Sequence, residues 1–241
     1  MHKAPTEGGI CTRDKIVIFR LPFRGPTDEF KGLRRHGGYD VSWMTPQQFD
    51  GRARVIVLPG SGATVRDLVY LKQAGGAEII RRHLASGGIV LGVCGGYQIL
   101  GERLLDPAHG QGEQDSIQGL GYIKATTLFG PKMLSCRTQA RLLVGTGNGG
   151  TIVGEERRSG CTFAGNGANP DGFLTLHAIT GRDMHDVQPT ACELTAQNLP
   201  WAPGQEKVDG YVSKDRQIWG TYLHCICDNE AFLRTFFNSI R

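Results

Sequence analysis

The heptapeptide Gly92-Val93-Cys94-Gly95-Gly96-Tyr97-Gln98 follows the apolar run Ile89 to Val93 and leads into a helical segment. A sharp strand-to-helix turn lifts the side chain at its apex clear of the sheet, and glycines on either side relieve the crowding that such a bend creates. A thiol at that apex faces a helix N-terminus, whose partial positive charge favours the thiolate, the nucleophilic form of cysteine. The plainer reading, a small buried cysteine ahead of a helix, leaves the flanking glycines without a purpose.

A thiol nucleophile needs a base. His224 follows the run Ile218-Trp219-Gly220-Thr221-Tyr222-Leu223, which reads as a strand, and strands of a parallel sheet end on one common edge. The remaining histidines lie in helices, in glycine-rich segments or near the chain ends. A third segment, Leu58-Pro59-Gly60-Ser61-Gly62, also closes a buried strand. Its backbone N–H groups, together with that of Gly95, can hold the oxyanion formed when a carboxamide is attacked, each such donor being worth about 3 kcal/mol. Alone, a Pro-Gly-x-Gly segment is only a turn; three strand ends on one edge make a site.

The elements that must position these groups alternate. Lys15 to Arg20 reads as a buried strand, Thr27 to His36 as a helix ending at Gly37-Gly38, Tyr39 to Met44 as an edge strand, and Arg54 to Leu58 as a second buried strand. A helix is expected from Thr64, with Asp67 as capping-box partner, and another from Ala77 to Ser86. Alternation at this spacing implies an α/β fold with a parallel sheet covered on both faces. From Leu105 to about Gly210 the periodicity loosens, and short antiparallel strands with long loops are expected. A C-terminal helix follows, with Asp228 as N-cap and Phe232, Leu233, Phe236, Phe237 and Ile240 as one apolar core stripe.

Bulk properties narrow the class. A chain of 241 residues that is 39% hydrophobic supports one large core, read as a single domain over residues 15–241 behind an extension of residues 1–14. A net charge of +4 with dispersed basic pairs gives no nucleic-acid footprint. No apolar run approaches the roughly 20 residues of a membrane span, and the first residues lack a secretory signal, so no membrane partner and a cytoplasmic location are expected. Seven scattered cysteines do not make a disulfide framework. Cys225 and Cys227 beside His224 have zinc-ligand chemistry, but four ligands at structural spacing are missing and a metal on His224 would silence the base, so no metal is expected.

The chain resembles the class I glutamine amidotransferase domain of cobyric acid synthases, enzymes of cobalamin biosynthesis. The resemblance rests on Leu21-Pro22, Thr27-Asp28, Leu58-Pro59-Gly60-Ser61, Ala63-Thr64, Asp67-Leu68, the Cys94 elbow with Tyr97-Gln98-Ile99-Leu100-Gly101, Asp106-Pro107, Gly119-Leu120-Gly121 and Gly220-Thr221-Tyr222-Leu223-His224. It implies a flavodoxin-like three-layer α/β/α sandwich and a glutaminase with Cys94 and His224 as its catalytic pair. Gly60 and Gly95 become the oxyanion donors, with Ser61 and Gln98 beside the glutamine. It also implies no cofactor in this chain, ATP and magnesium on a separate synthetase domain or polypeptide, and an acceptor carboxylate on cobyrinic acid diamide.

Departures from the family pattern stand at Arg158, where the family has histidine, at Cys225 in place of glycine, and at Gly62 where lysine is frequent. Ile226 occupies the place of a glutamate that orients the histidine in many related enzymes. Two other readings fit the same residues: an impaired domain that binds or regulates a synthetase partner, and a cysteine hydrolase acting on another amide or ester.

Overall fold

The computed structural model describes residues 15–35, 38–144, 150–164, 174–180 and 206–239. The extension of residues 1–14, the close of the first expected helix at His36-Gly37, and Ile240 of the C-terminal stripe lie outside them.

The elements run β1 (Lys15–Phe19), α1 (Lys31–Arg35), β2 (Asp40–Met44), β3 (Val55–Leu58), α2 (Thr64–Gln73), α3 (Gly76–Ala85), β4 (Ile89–Val93) and α4 (Gly95–Leu100). They continue through β5 (Gly101–Leu105), β6 (Ser116–Gln118), β7 (Ile123–Leu142), β8 (Thr151–Ala164), β9 (Leu174–Thr180), β10 (Glu206–Asp209), β11 (Tyr211–Val212), β12 (Ile218–Thr221), β13 (Leu223–His224) and α5 (Glu230–Ser239).

The main sheet has the order β11-β12-β4-β3-β1-β2. All of its pairings are parallel except that of β11 with β12. The five parallel strands thus follow the flavodoxin-like order, in a three-layer α/β/α fold. Because β3 and β4 are buried along their whole length, they need no polar alternation, which is why they read as continuous Val, Ile and Leu runs. Leu58 pairs with Gly92, and Thr221 with Val93, so β3, β4 and β12 end level with one another. Aromatic packing pins β12: Trp219 is fully buried, and its ring meets Phe236 of α5 edge-on at 5.3 Å and Phe232 at 6.3 Å.

A second sheet, in the order β10-β9-β7-β5-β6, carries β8 against β7. After Thr221 the chain leaves the parallel sheet, and β13 joins β8 in this second sheet. The strand expected to run through Leu223 is therefore two strands in two sheets.

Three local expectations are corrected. Thr64 and Asp67 form no capping box: Ala63 is the N-cap of α2, and the Asp67 carboxylate accepts from Ser61 Oγ at 2.6 Å and Phe23 N at 2.9 Å instead. The side-chain oxygen of Gln111 takes the Thr64 N–H. Asp228 lies inside a short 3-10 turn, Ile226–Asp228, and Asn229, whose carbonyl accepts from Leu233 N, opens α5. Between Leu105 and Gly210, β7 and β8 are long, 20 and 14 residues, because a register shift between Leu128 and Met133 breaks their alternation without ending the ladder, whereas β6, β9 and β10 are short and antiparallel as expected; the loops expected over 145–149, 165–173 and 181–205 lie outside the described residues.

Candidate functional site

Cys94 has φ 50 and ψ −109, a strained conformation for a residue with a side chain, at the junction of β4 and α4. The glycines around it are dictated by contact. A Cβ on Gly92 would stand 2.7 Å from the Gly96 carbonyl group, one on Gly96 2.0 Å from Leu58 O, and one on Gly95 2.9 Å from Ser61 N. The elbow helix is thereby pressed onto the Gly60-Ser61 turn, so the thiol and that turn share one corner.

The turn is held from its far side. Gly60 O accepts from Gly25 N at 2.8 Å, and Gly62 N donates to Phe23 O at 2.8 Å, contacts that use neither the N–H of Gly60 nor that of Gly95. Ser61 Oγ donates to Asp67 and accepts from Ala63 N, so this hydroxyl braces the loop.

His224 closes the corner from the other end of the chain. A Cβ placed on Gly60 would meet His224 Cε1 at 3.0 Å, Cys94 Cβ at 3.6 Å and His224 Nε2 at 3.7 Å, so thiol and imidazole border the same point. Gly60 is glycine because that space belongs to them. His224 Nε2 is buried with no hydrogen-bond partner in place, while Cys94 Sγ donates to Arg157 O of β8 at 3.1 Å.

His224 Nδ1 lies 2.7 Å from Glu29 Oε2, and the two side chains are only 13% and 6% exposed. A carboxylate can only accept, so Nδ1 carries the proton and Nε2 is the basic nitrogen. Burial works against the charged ring. Interaction with the neighbouring Cys94 and the hydrogen bond and negative charge of Glu29 outweigh it, raising the His224 pKa from 6.5 to about 10.

The sign of the linkage follows. Between those two values the folded chain binds more protons than the unfolded one. The stability contributed by His224 is therefore complete below pH 6.5 and is lost as the pH rises through about 10. Chemical denaturation of wild type and His224→Ala across that range should show the gap between them narrowing as the pH climbs; a widening gap would contradict the assignment.

The roof of the site is β8, through Arg157 O on the thiol and through pairing of His224 with Glu155. Arg158, at one of the departures from the family pattern, is buried there. Its Nε is 3.0 Å from Glu156 Oε1, Nη1 donates to Gly160 O, and the guanidinium lies 5.9 Å over the Tyr222 ring. Gln98 is nearly fully buried and engaged by the scaffold: Nε2 donates to Ser159 O and Tyr222 Oη, and Oε1 accepts from Thr64 Oγ1.

The sequence-derived residues Cys94, His224, Gly60, Ser61 and Gly95 thus meet at one corner, with Gln98 tying the elbow helix to β8. Glu29 is the residue that the sequence reading missed. The zinc-like trio is not assembled: Cys227 is fully buried, Cys225 is exposed, and no group of three potential metal ligands occurs among the described residues. No helix among them is long and apolar enough to cross a membrane.

A family described as CobB/CobQ-like glutamine amidotransferase domain matches residues 15–232. Cobyric acid synthase of Gloeobacter violaceus is 34% identical over 94% of this chain and 39% of its own length. That of Dehalococcoides mccartyi strain CBDB1 is 31% identical over 94% of this chain and 41% of its own. The chain therefore spans about two fifths of the length of these curated relatives. Among solved structures, PurLQS from Thermotoga maritima superposes with a TM-score of 0.61 at 14% identity, covering 95% of this chain and 97% of that one. A second solved structure, of a glutamine amidotransferase, gives 0.54 at 14% identity, covering 93% and 98%; at such identities the likeness concerns the fold alone. With a family match that runs from β1 into α5 and takes in the Cys94 elbow, the Gly60 turn and His224, the chain belongs to the CobB/CobQ-like glutamine amidotransferase domains.

Proposed function

We propose that this chain is a glutaminase in which Cys94 and His224 release ammonia from glutamine for amidation of an acceptor carboxylate. The observation that carries the reading is the convergence of an elbow thiol and an unpartnered, buried imidazole nitrogen on the space beside Gly60. His224, whose Nε2 keeps its proton up to about pH 10, retains the proton given up by the thiol, and the thiolate attacks the side-chain carbonyl carbon of glutamine. The oxyanion rests on the N–H groups of Gly60 and Gly95. Collapse breaks the C–N bond as His224 returns the proton to the leaving nitrogen, so ammonia departs and a thioester remains. Water, losing a proton to His224, hydrolyses the thioester to glutamate and restores the thiol.

The acceptor chemistry follows the relatives. They are named cobyric acid synthases and are about two and a half times as long, which supports a synthetase portion as partner; to that portion the proposal assigns ATP and magnesium, with a cobyrinic acid diamide carboxylate as acceptor and the cytoplasm as location. The test is covalent trapping. A glutamine-mimicking electrophile such as 6-diazo-5-oxo-norleucine should add one equivalent at Cys94, located by peptide mass spectrometry, and excess glutamine should protect. Glutamate release is measured alone and with a relative's synthetase portion supplied as a separate polypeptide. Failure to label, with no turnover in either condition, would leave a non-catalytic binding domain as the reading.

A further inference from the structure

We infer that Glu29 is the positioning residue for the His224 base: its carboxylate holds the imidazole by Nδ1–H and leaves Nε2 turned toward Cys94. The inference rests on the glutaminase reading above and deepens it.

The geometry supplies the argument. Glu29 lies in a short 3-10 turn, Asp28–Phe30, between exposed Asp28 and buried Phe30, and its own charged side chain is buried. One carboxylate oxygen meets His224 Nδ1 at 2.7 Å across 195 positions of sequence, and the other is buried with no hydrogen-bond partner. Burying a half-satisfied carboxylate costs stability, so packing alone does not account for it. The turn is also fixed against the segment that follows His224. A Cβ on Gly32 would fall 1.7 Å from Cys227 O, so only glycine lets α1 approach the Ile226–Asp228 turn this closely. Ile226 itself is buried and apolar and offers the ring no acceptor. The two ends of the domain are in this way locked at the distance that one carboxylate–imidazole bond requires.

The groups acting on His224 from its surroundings are Cys94 from the elbow, Glu29 from the 3-10 turn, and Glu155 from β8, whose charge is partly taken up by Arg157 at 2.8 Å. Glu29 alone among the two carboxylates touches the ring, so its replacement should change how the ring titrates and which nitrogen carries the proton.

The experiment is Glu29→Gln, which keeps the shape and removes the charge. An amide can donate to Nδ1 and so stabilise the wrong tautomer; the same exchange in a serine-protease triad costs about 10⁴-fold in kcat. Here a loss of roughly 10²-fold or more in kcat is expected, with KM within about 3-fold. The His224 titration followed by ¹⁵N NMR should move to lower pH. Wild-type kcat and an unmoved His224 titration in Glu29→Gln, while Cys94→Ala is inactive, overturn this inference and leave the glutaminase reading standing. Turnover that survives Cys94→Ala removes both. Should Glu29→Gln fail to fold, the wild-type ¹⁵N shifts decide: protonated Nδ1 with Nε2 as the titrating nitrogen supports the inference, and the opposite tautomer overturns it.

Discussion

Cys94→Ala is expected to lower glutamate release by about 10⁵-fold, because the reaction loses the atom that forms the thioester while the oxyanion donors remain. The effect should fall on kcat, since the thiol contributes little to holding the ground-state amide. His224→Ala is expected to cost nearly as much, and the double variant hardly more, since a nucleophile without its base and a base without its nucleophile are equally idle. Additive losses would mean that the two side chains act in separate steps. The assay is coupled glutamate detection on proteins whose melting temperatures have been matched. Alanine removes only the sulfur from a residue whose backbone is already held by Thr221 O at its N–H and by the first turn of α4, so the fold should survive.

The second large effect is on stability. Gly96→Ala puts a methyl 2.0 Å from Leu58 O and 2.6 Å from Leu58 C, backbone atoms of a fully buried strand that cannot step aside. Either α4 lifts from β3, or the sheet edge distorts. A loss of at least about 3 kcal/mol is expected, which for a domain of this size is a fall of roughly 6–12 °C in melting temperature. Gly87 provides the control. It has φ +82 and open space around its Cβ position, so Gly87→Ala should cost only about 1 kcal/mol, through backbone strain alone. Equal losses at both positions would show that the elbow is looser than its packing indicates.

The parts of this site that were readable from sequence are those that leave a local trace. A glycine-flanked cysteine after five buried residues announces an elbow, because the bend is a local event: Gly92 is constrained by Gly96 and Tyr97, only a turn further along the chain. His224 was readable because β12 ends beside β4, an adjacency that parallel-sheet topology makes common. Glu29 left no such trace. In the sequence it is one acidic residue in a polar stretch, and what buries it is a segment 195 positions away. Asp67 misled for a related reason: its spacing from Thr64 suits a cap, but Ser61 and Phe23, brought together by the isolated bridge between Arg24 and Ser61, claim its oxygens first. In β7 and β8, glycines and a bulge hid long strands whose stability comes from pairing with each other rather than from their own periodicity.

The order of assembly has a consequence for the nascent chain. β12 inserts beside β4 only after everything between them has been made, and His224 follows immediately behind it. A chain made only as far as α4 thus holds the Cys94 thiol but neither the Thr221 carbonyl that takes the Cys94 N–H nor His224. On the proposed mechanism, such a half-made molecule would hold the nucleophile without its base, and glutamine hydrolysis would wait until β12 docks.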